Sequence, residues 1–406
     1  MFQRLIREWG ERAGVSLRVV WSDGTSYQNR AGTPAITLTF RNRAAAWRVA
    51  LYGYIGILEG YFRGDIDFEG DFGMAFRTAL GGAMKVRHTP FVRMRNAWHE
   101  LRFSNGSIAQ AKANARFHYG LGTEFYRPWL DHPYMMYTCA YWKEGTRTLE
   151  EAQQNKMEHV CRKIRLKPGE TVLDLGCGWG GFSFYAAERH GAVVTGLNTT
   201  TEQIAEMRAE IERRGMQGRV TAVEADFREI PGQQFDKCVS IGVLEHAGRD
   251  QLAAVVRAHA DCLKPGGLGM LHYIGHVGHY NTEFFIRKYV FPGGWIPSLA
   301  ETLVEMERAG LEILDIENLR RHYVLTLECW AERFDANWER IHAIDPKRFD
   351  ETFHRIWRTY LYSCMEMFRS PLSYTHLFQI AYSKGNSTAK SYPMSRAHLY
   401  SGDSAG

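Results

Sequence analysis

Residues 172–198, VLDLGCGWGGFSFYAAERHGAVVTGLN, constrain the fold more than any other part of this chain. An apolar run breaks into glycines, a helical pattern follows, and a second apolar run closes the stretch. Two buried strands joined through a helix lie parallel, because a short hairpin cannot connect them. The rhythm continues downstream, where TVLDLG, AVVTGLN, VTAVEAD, FDKCVSIG and GLGMLHYIG are apolar runs separated by helical stretches. Such alternation implies an α/β fold: a mostly parallel, Rossmann-like sheet with helices on both faces. Just before it, LEEAQQNKMEHVCRKIRL places Leu149, Ala152, Lys156, Met157, Val160, Cys161 and Ile164 near helical spacing, and Pro168-Gly169 ends that helix.

Gly176, Gly178 and Gly181 fit G-x-G-x-x-G, which makes a dinucleotide the first candidate ligand. The neighbours argue otherwise. Asp174 puts a carboxylate where it would repel a pyrophosphate but suits an ammonium group. The second strand ends in Asn198 and three threonines, not in the acidic residue that a dinucleotide ribose wants. S-adenosylmethionine fits this turn better, with Asp226 closing the third strand near the adenine amine. Ligands of open α/β sheets lie beyond the carboxyl ends of the strands. Glu245, after the fourth strand, and His272, in the fifth, therefore border the crevice where the methyl group would be presented. The plain alternatives are a core histidine satisfied by backbone and a carboxylate facing a helix N-terminus. His272, His276 and His279 do not make a metal set, because a strand and two glycines separate them.

The first hundred residues read as a small α+β unit. SLRVVWSDGTSYQ turns at Asp23-Gly24, AITLTF (35–40) alternates as a strand, AAAWRVALYGYIGILEGYF is a buried helix, and RGDIDFEGD is an acidic turn. Residues 1–110 carry 15 Lys and Arg against 9 Asp and Glu, a surplus of 6; the whole chain's net charge is +5, so the rest is near neutral. KVRHTPFVRMR (85–95) interleaves Lys85, Arg87, Arg93 and Arg95 with Phe91, Val92 and Met94. It suits anionic lipid headgroups or nucleic acid, or is simply a solvated face. No nucleic-acid signature occurs. After residue 312, EILDIENL and YVLTLECWAERF suggest a strand pair running into a helix, RFDETFHRIWRTYLYSCMEMF another helix, and FQIAYSKG a last strand. The tail beyond Ser387 reads as frayed. Seven scattered cysteines without C-x-x-C indicate reduced thiols in a cytoplasmic protein, and the N-terminus lacks the apolar core of a signal peptide.

With Cys139, Glu245 and His272 in view, the sequence resembles the cyclopropane fatty acid synthases and the related mycolic acid cyclopropane synthases. The matching words are YTCAYW, LEEAQQNKMEHVCRKIRLKPGETVLDLGCGWGG, SIGVLEHAG, LHYIG, KYVFPGGWIPS and HYVLTLECWAERF, in order between about 134 and 382. The resemblance implies a class I S-adenosylmethionine methyltransferase domain at 149–390. It also implies a lipid- and membrane-associating domain at 1–105, connector and lid helices at 106–148, and a flexible tail at 391–406. It implies a cis-unsaturated phospholipid acyl chain as substrate, which takes a methyl group, forms a carbocation and loses a proton to close the ring. Bicarbonate would accept that proton, held by Cys139, Glu245, His272, the backbone of Ile274, and Tyr323. S-adenosylmethionine contacts carried over are Tyr137, Thr138, Gly176, Gly178, Thr199, Gln203, Asp226 and Phe227, although Asn198-Thr199-Thr200 departs from the usual words there. Phe182, Tyr137 and Phe291 can face the cation, or are plain core packing, and Trp295 lines the lipid entrance or anchors at an interface. The resemblance further implies an anionic membrane surface as partner, a place at the inner face of the membrane, and allows a homodimer. Rival readings are a methylene- or methyl-branching enzyme, a small-molecule N-methyltransferase, and a lipid-binding scaffold on a decayed methyltransferase fold.

Overall fold

The computed structural model describes residues 2–80, 90–230 and 232–400, and of 2–5, 90 and 91 the backbone alone. Lys85 and Arg87 of the basic stretch lie outside the described residues. The chain divides into two compact units, one of residues 1–102 and 327–373 and one of 103–326 and 374–406. The catalytic domain expected at 149–390 thus draws on both units.

The second unit is built on seven strands: β5 (Thr171–Leu175), β6 (Val193–Asn198), β7 (Val220–Glu224), β8 (Phe235–Ile241), β9 (Leu263–His276), β10 (Leu311–Asn318) and β11 (Thr375–Lys384). Their order across the sheet is β10-β11-β9-β8-β5-β6-β7. All pairs from β9 through β7 are parallel, and β11 runs antiparallel to both β9 and β10. Alternation along the strands feeds two separate cores. On one face Val172, Val194 and Val239 pack with Met157, Phe182, Phe184, Ile204 and Met207 from three helices. On the other, Leu173, Leu175, Leu197 and Cys238 pack with Leu252, Val255, Val256 and Met306. The same period-2 rule puts Asp174 on the face of Val172, under the helices Leu149–Lys163 and Gly181–His190.

Helix Leu149–Lys163 starts with a capping box, in which Thr148 accepts from the Glu151 N–H and Glu151 accepts from the Thr148 N–H. Two otherwise orphaned donors are satisfied there. Thr148→Ala is expected to lower stability by about 1 kcal/mol, read as a lower unfolding midpoint with unchanged cofactor affinity.

The first unit holds a four-stranded sheet, order β2-β1-β3-β4, from β1 (Leu17–Val20), β2 (Ser26–Gln28), β3 (Ile36–Phe40) and β4 (Ile66–Gly70). Ile6, Trp9, Val19, Trp21, Phe40, Val49 and Ile66 form its core. Helix Glu351–Arg369 belongs to this unit, where Arg77 grips the buried Glu366 with two bonds of 2.8 and 2.9 Å.

Four expectations change. The acidic turn is strand β4, because Ile66 and Phe68 alternate against β3. The single helix over 44–62 is two, Arg43–Tyr52 and Tyr54–Phe62, broken at Gly53 with φ +62°. YVLTLECWAERF lies wholly in helix Arg320–Ala336, its β-branched start overridden by tertiary packing. The tail is not frayed over 391–400: Tyr392 and Leu399 are buried, and the Leu399 carbonyl accepts from Arg162 at 3.1 Å.

Candidate active site

The glycine turn after β5 is fixed by its own backbone, with the Gly176 and Cys177 N–H groups donating to the Leu197 carbonyl at the end of β6 (2.7 and 3.1 Å). Gly176 has φ +79°, and a Cβ on it would lie 2.1 Å from Val243 Cγ2. Gly181 is as tightly enclosed, since its Cβ would lie 2.3 Å from the Tyr134 carbonyl. The turn therefore brings backbone into close approach where a side chain cannot follow. Asn198 bridges the next strand end to it, donating to the Gly178 carbonyl (3.4 Å) and to Gln203 Oε1 (2.9 Å).

Residues 137–142 cross the carboxyl ends of the strands. Gln153 Nε2 donates to the Met136 and Thr138 carbonyls (3.2 and 2.9 Å), and Lys156 Nζ donates to Thr138 Oγ1 (2.8 Å). Thr138 Cγ2 abuts Gly242, just past β8. Cys139 is buried with Sγ against the Ala140 and Leu319 carbonyls (3.3 and 3.9 Å), and burial raises its thiol pKa far above the usual value. The Ala140 N–H and Trp142 Nε1 both donate to Thr326 Oγ1 (3.1 Å each). Tyr323, on the same helix as Thr326, is buried and its N–H donates to the Leu319 carbonyl (3.1 Å), so Cys139 and Tyr323 converge on one residue.

At the end of β8, Glu245 reaches across to β9, where its Oε1 accepts from the Ile274 N–H at 2.6 Å. Its Oε2 is buried with no hydrogen-bond partner among the described residues. Burial raises the carboxyl to about 7, against the lowering effect of the Ile274 N–H. His272 lies two residues earlier on β9 and opposite Gln379 of β11. Gln379 Nε2 donates to His272 Nδ1 (3.1 Å), which leaves the ring proton on Nε2, and that atom too is buried without a partner. Burial, then the charges of Lys156 and Lys163, hold this imidazole well below its usual pKa, so it is neutral at physiological pH.

An aromatic wall links Tyr137 to Glu245. His118 bonds Tyr137 Oη (3.2 Å) and the Val290 carbonyl (3.0 Å), and packs on Phe291 with ring centroids 4.0 Å apart. Tyr119 Oη bonds Nε2 of His246, the residue after Glu245, at 2.9 Å.

With this geometry, the comparisons converge. Residues 107–380 match the family model described as mycolic acid cyclopropane synthetase. The chain belongs to the cyclopropane synthase family. It is 32% identical to the Escherichia coli K12 cyclopropane-fatty-acyl-phospholipid synthase over 94% of this chain and 93% of that one. It is 34% identical to a probable fatty acid methyltransferase of Pseudomonas putida over 87% and 89%. Mycolic acid cyclopropane synthase CmaA1, solved with SAH and CTAB, superposes with a TM-score of 0.62 at 29% identity, covering 67% of this chain and 98% of that chain. Like these relatives, the present chain is an S-adenosylmethionine-dependent methyltransferase.

Several of the expected site residues also bond within the chain. Asp174 Oδ2 accepts from Ser183 Oγ (2.7 Å), tying β5 to its following helix, and burial raises its carboxyl to about 6. Asp226 caps its own turn, accepts from the Arg228 N–H (3.1 Å) and pairs with the Arg228 guanidinium at 2.6 and 3.0 Å, while Phe227 lies under that guanidinium. The Ile274 N–H is engaged by Glu245 rather than held open. The Thr199 N–H is fixed by Asn198 Oδ1 (2.8 Å). Gln153, Asp131, His118, His246 and Gln379 carry no motif that marks them in the sequence. Lys156 does carry a signal, a cation at an apolar position of its helix.

Proposed function

We propose that this enzyme adds a methylene group, derived from S-adenosylmethionine, across the cis double bond of an unsaturated phospholipid acyl chain and closes a cyclopropane ring. Bicarbonate is proposed as proton acceptor. The observation that carries this reading is the pair of buried, unpartnered atoms Glu245 Oε2 and His272 Nε2, each on a side chain fixed by its other polar atom. An O–H and an N–H donor so oriented suit a small oxyanion, and Cys139 and Tyr323 would border it.

Bound S-adenosylmethionine supplies a sulfonium methyl electrophilic enough for an alkene, and bicarbonate supplies a proton acceptor too weak to compete for that methyl. Glu245, enclosed and half-protonated near neutrality, keeps its proton to donate to an anion, whereas ionised it would repel one. His272 stays neutral and donates from Nε2. Tyr119, Tyr137, His118 and Phe291 exclude water and present ring faces to positive charge developing on the acyl chain. The glycine turn with Tyr137, Thr138, Gln203 and the Asp226–Phe227 corner would hold the cofactor.

Mass spectrometry and NMR of fatty acids from cells expressing this chain test the reading. One added CH2 with upfield cyclopropane protons is expected. Olefinic methylene or methyl-branch signals would favour the second reading, a branching enzyme, which the resemblance to the fatty acid methyltransferase supports.

The substrate is reached at an anionic membrane in this reading. Helix Arg43–Tyr52 exposes Trp47 and Leu51, and helix Pro90–Phe103 exposes Met94, Trp98 and Leu101 at i, i+4 and i+7, Leu101 to 83%. Arg95 stacks on Tyr52 at 5.7 Å between them, and Arg93 and Arg102 flank the apolar residues. Exposed tryptophans ringed by arginine suit an anionic lipid interface. Replacing Arg93 and Arg102 by Ser is expected to cost about 1 kcal/mol each in binding to phosphatidylglycerol vesicles at low salt, and less as salt rises. Vesicle co-sedimentation measures it, and salt-independent binding would remove the electrostatic part.

A further inference from the structure

Lys156 has no part in the chemistry above, yet its side chain is 0% exposed at the centre of the site. Burying an ammonium group is costly unless opposite charge and hydrogen bonds surround it, and an apolar residue of similar size would commonly be more stable. Its Nζ donates to Thr138 Oγ1 at 2.8 Å. Burial lowers its pKa to about 7, and the charges of Asp131 and Asp174 work against that fall. Asp131 is itself fully buried, with Oδ1 accepting from the Met136 N–H (2.8 Å) and Oδ2 without a partner among the described residues. Asp174 stands two residues before Gly176 and on the sheet face that this helix covers. One turn back along the helix, Gln153 holds the Met136 and Thr138 carbonyls. One buried side chain thus bonds the run 136–138 directly and acts by its charge on Asp174, which stands just before the glycine turn.

We propose that Lys156 is a positioning residue for S-adenosylmethionine: its ammonium group locks the run 136–138 against the glycine turn, through Thr138 on one side and Asp174 on the other. The inference rests on the reading that Thr138 and the glycine turn hold the cofactor. A merely structural lysine would contribute to folding and leave binding to the folded enzyme unchanged. A positioning lysine couples energetically to Thr138 in cofactor affinity.

The test is calorimetric titration of S-adenosylmethionine into the full-length enzyme. Lys156→Met and Thr138→Val are each expected to raise Kd about tenfold, and the double variant is expected to bind no worse than Lys156→Met alone. Lys156→Gln, which keeps a donor without the charge, gives the same loss and serves where the Met variant does not fold. Thr148→Ala weakens the same helix at its cap and is expected to bind as wild type. Wild-type affinity in the Lys156 variants, multiplying effects in the double variant, or an equal loss in Thr148→Ala would each overturn the proposal. Gly176→Ala separates this from the underlying reading. If it binds normally, the cofactor site is misplaced, whereas if it alone loses binding, only the role of Lys156 falls.

Discussion

Turnover of His272→Ala falls by about two to three orders of magnitude, while affinity for S-adenosylmethionine changes by less than about twofold. The split follows from where His272 stands. Its Nδ1 is held by Gln379 on β11 and its Nε2 is buried without a partner, and among the described residues no hydrogen bond joins its side chain to the glycine turn or to residues 137–138. Removing it deletes one oriented donor and nothing that shapes the cofactor cradle. Glu245→Ala is expected to behave alike, because it removes the neighbouring donor and frees the Ile274 N–H. The pH profile distinguishes the two positions. With its carboxyl raised to about 7 by burial, Glu245 is protonated below that pH and ionised above it, so the donor is present on the acid side and lost as pH rises. Turnover should therefore decline above neutrality. In Glu245→Gln, whose amide can accept from Ile274 and donate to an anion at any pH, that alkaline limb flattens. Steady-state rates from pH 6 to 9 at fixed bicarbonate concentration measure it, and an unchanged limb in the Gln variant would remove Glu245 as its source.

Gly176→Ala is the second large effect, and it strikes binding rather than chemistry. A methyl group there needs a left-handed backbone that L-residues adopt at a cost of about 1–2 kcal/mol. It would also fall 2.1 Å from Val243 Cγ2, and Val243 is β-branched and cannot swing aside freely. Overpacking of this kind costs about 1–3 kcal/mol. The variant should melt at lower temperature than wild type and show no S-adenosylmethionine heat signal. Normal binding would place the cofactor elsewhere.

The parallel part of the sheet was legible because β5, β6, β8 and β9 are largely buried apolar runs with a glycine or polar turn beside them, and the edge strand β7 keeps the same rhythm with Val220, Ala222 and Val223. The strand-end rule likewise led to Glu245 and His272 before any contact was known. What stayed hidden was pairing across long sequence separation. Nothing near His272 indicates that Gln379, on a strand antiparallel to the others, sets its tautomer. Asp174 and Asp226 are the instructive cases, since their positions were found by motif but their carboxylates are engaged by Ser183 and Arg228, partners that no spacing rule specifies. The Tyr-Val-Leu-Thr-Leu stretch at 323–327 suggests a strand, which tertiary packing overrides in favour of a helix.

The position of β11 also bears on synthesis of the chain. β9 lies inside the sheet only once β11 pairs with it, and 107 residues separate His272 from Gln379. At ribosomal rates of about 5–20 residues per second, a nearly complete sheet waits roughly 5–20 s with the long apolar edge of β9 uncovered. That interval is when this protein is most open to edge-to-edge association, and a chaperone that shields one exposed strand would raise its yield more than one that promotes helix formation.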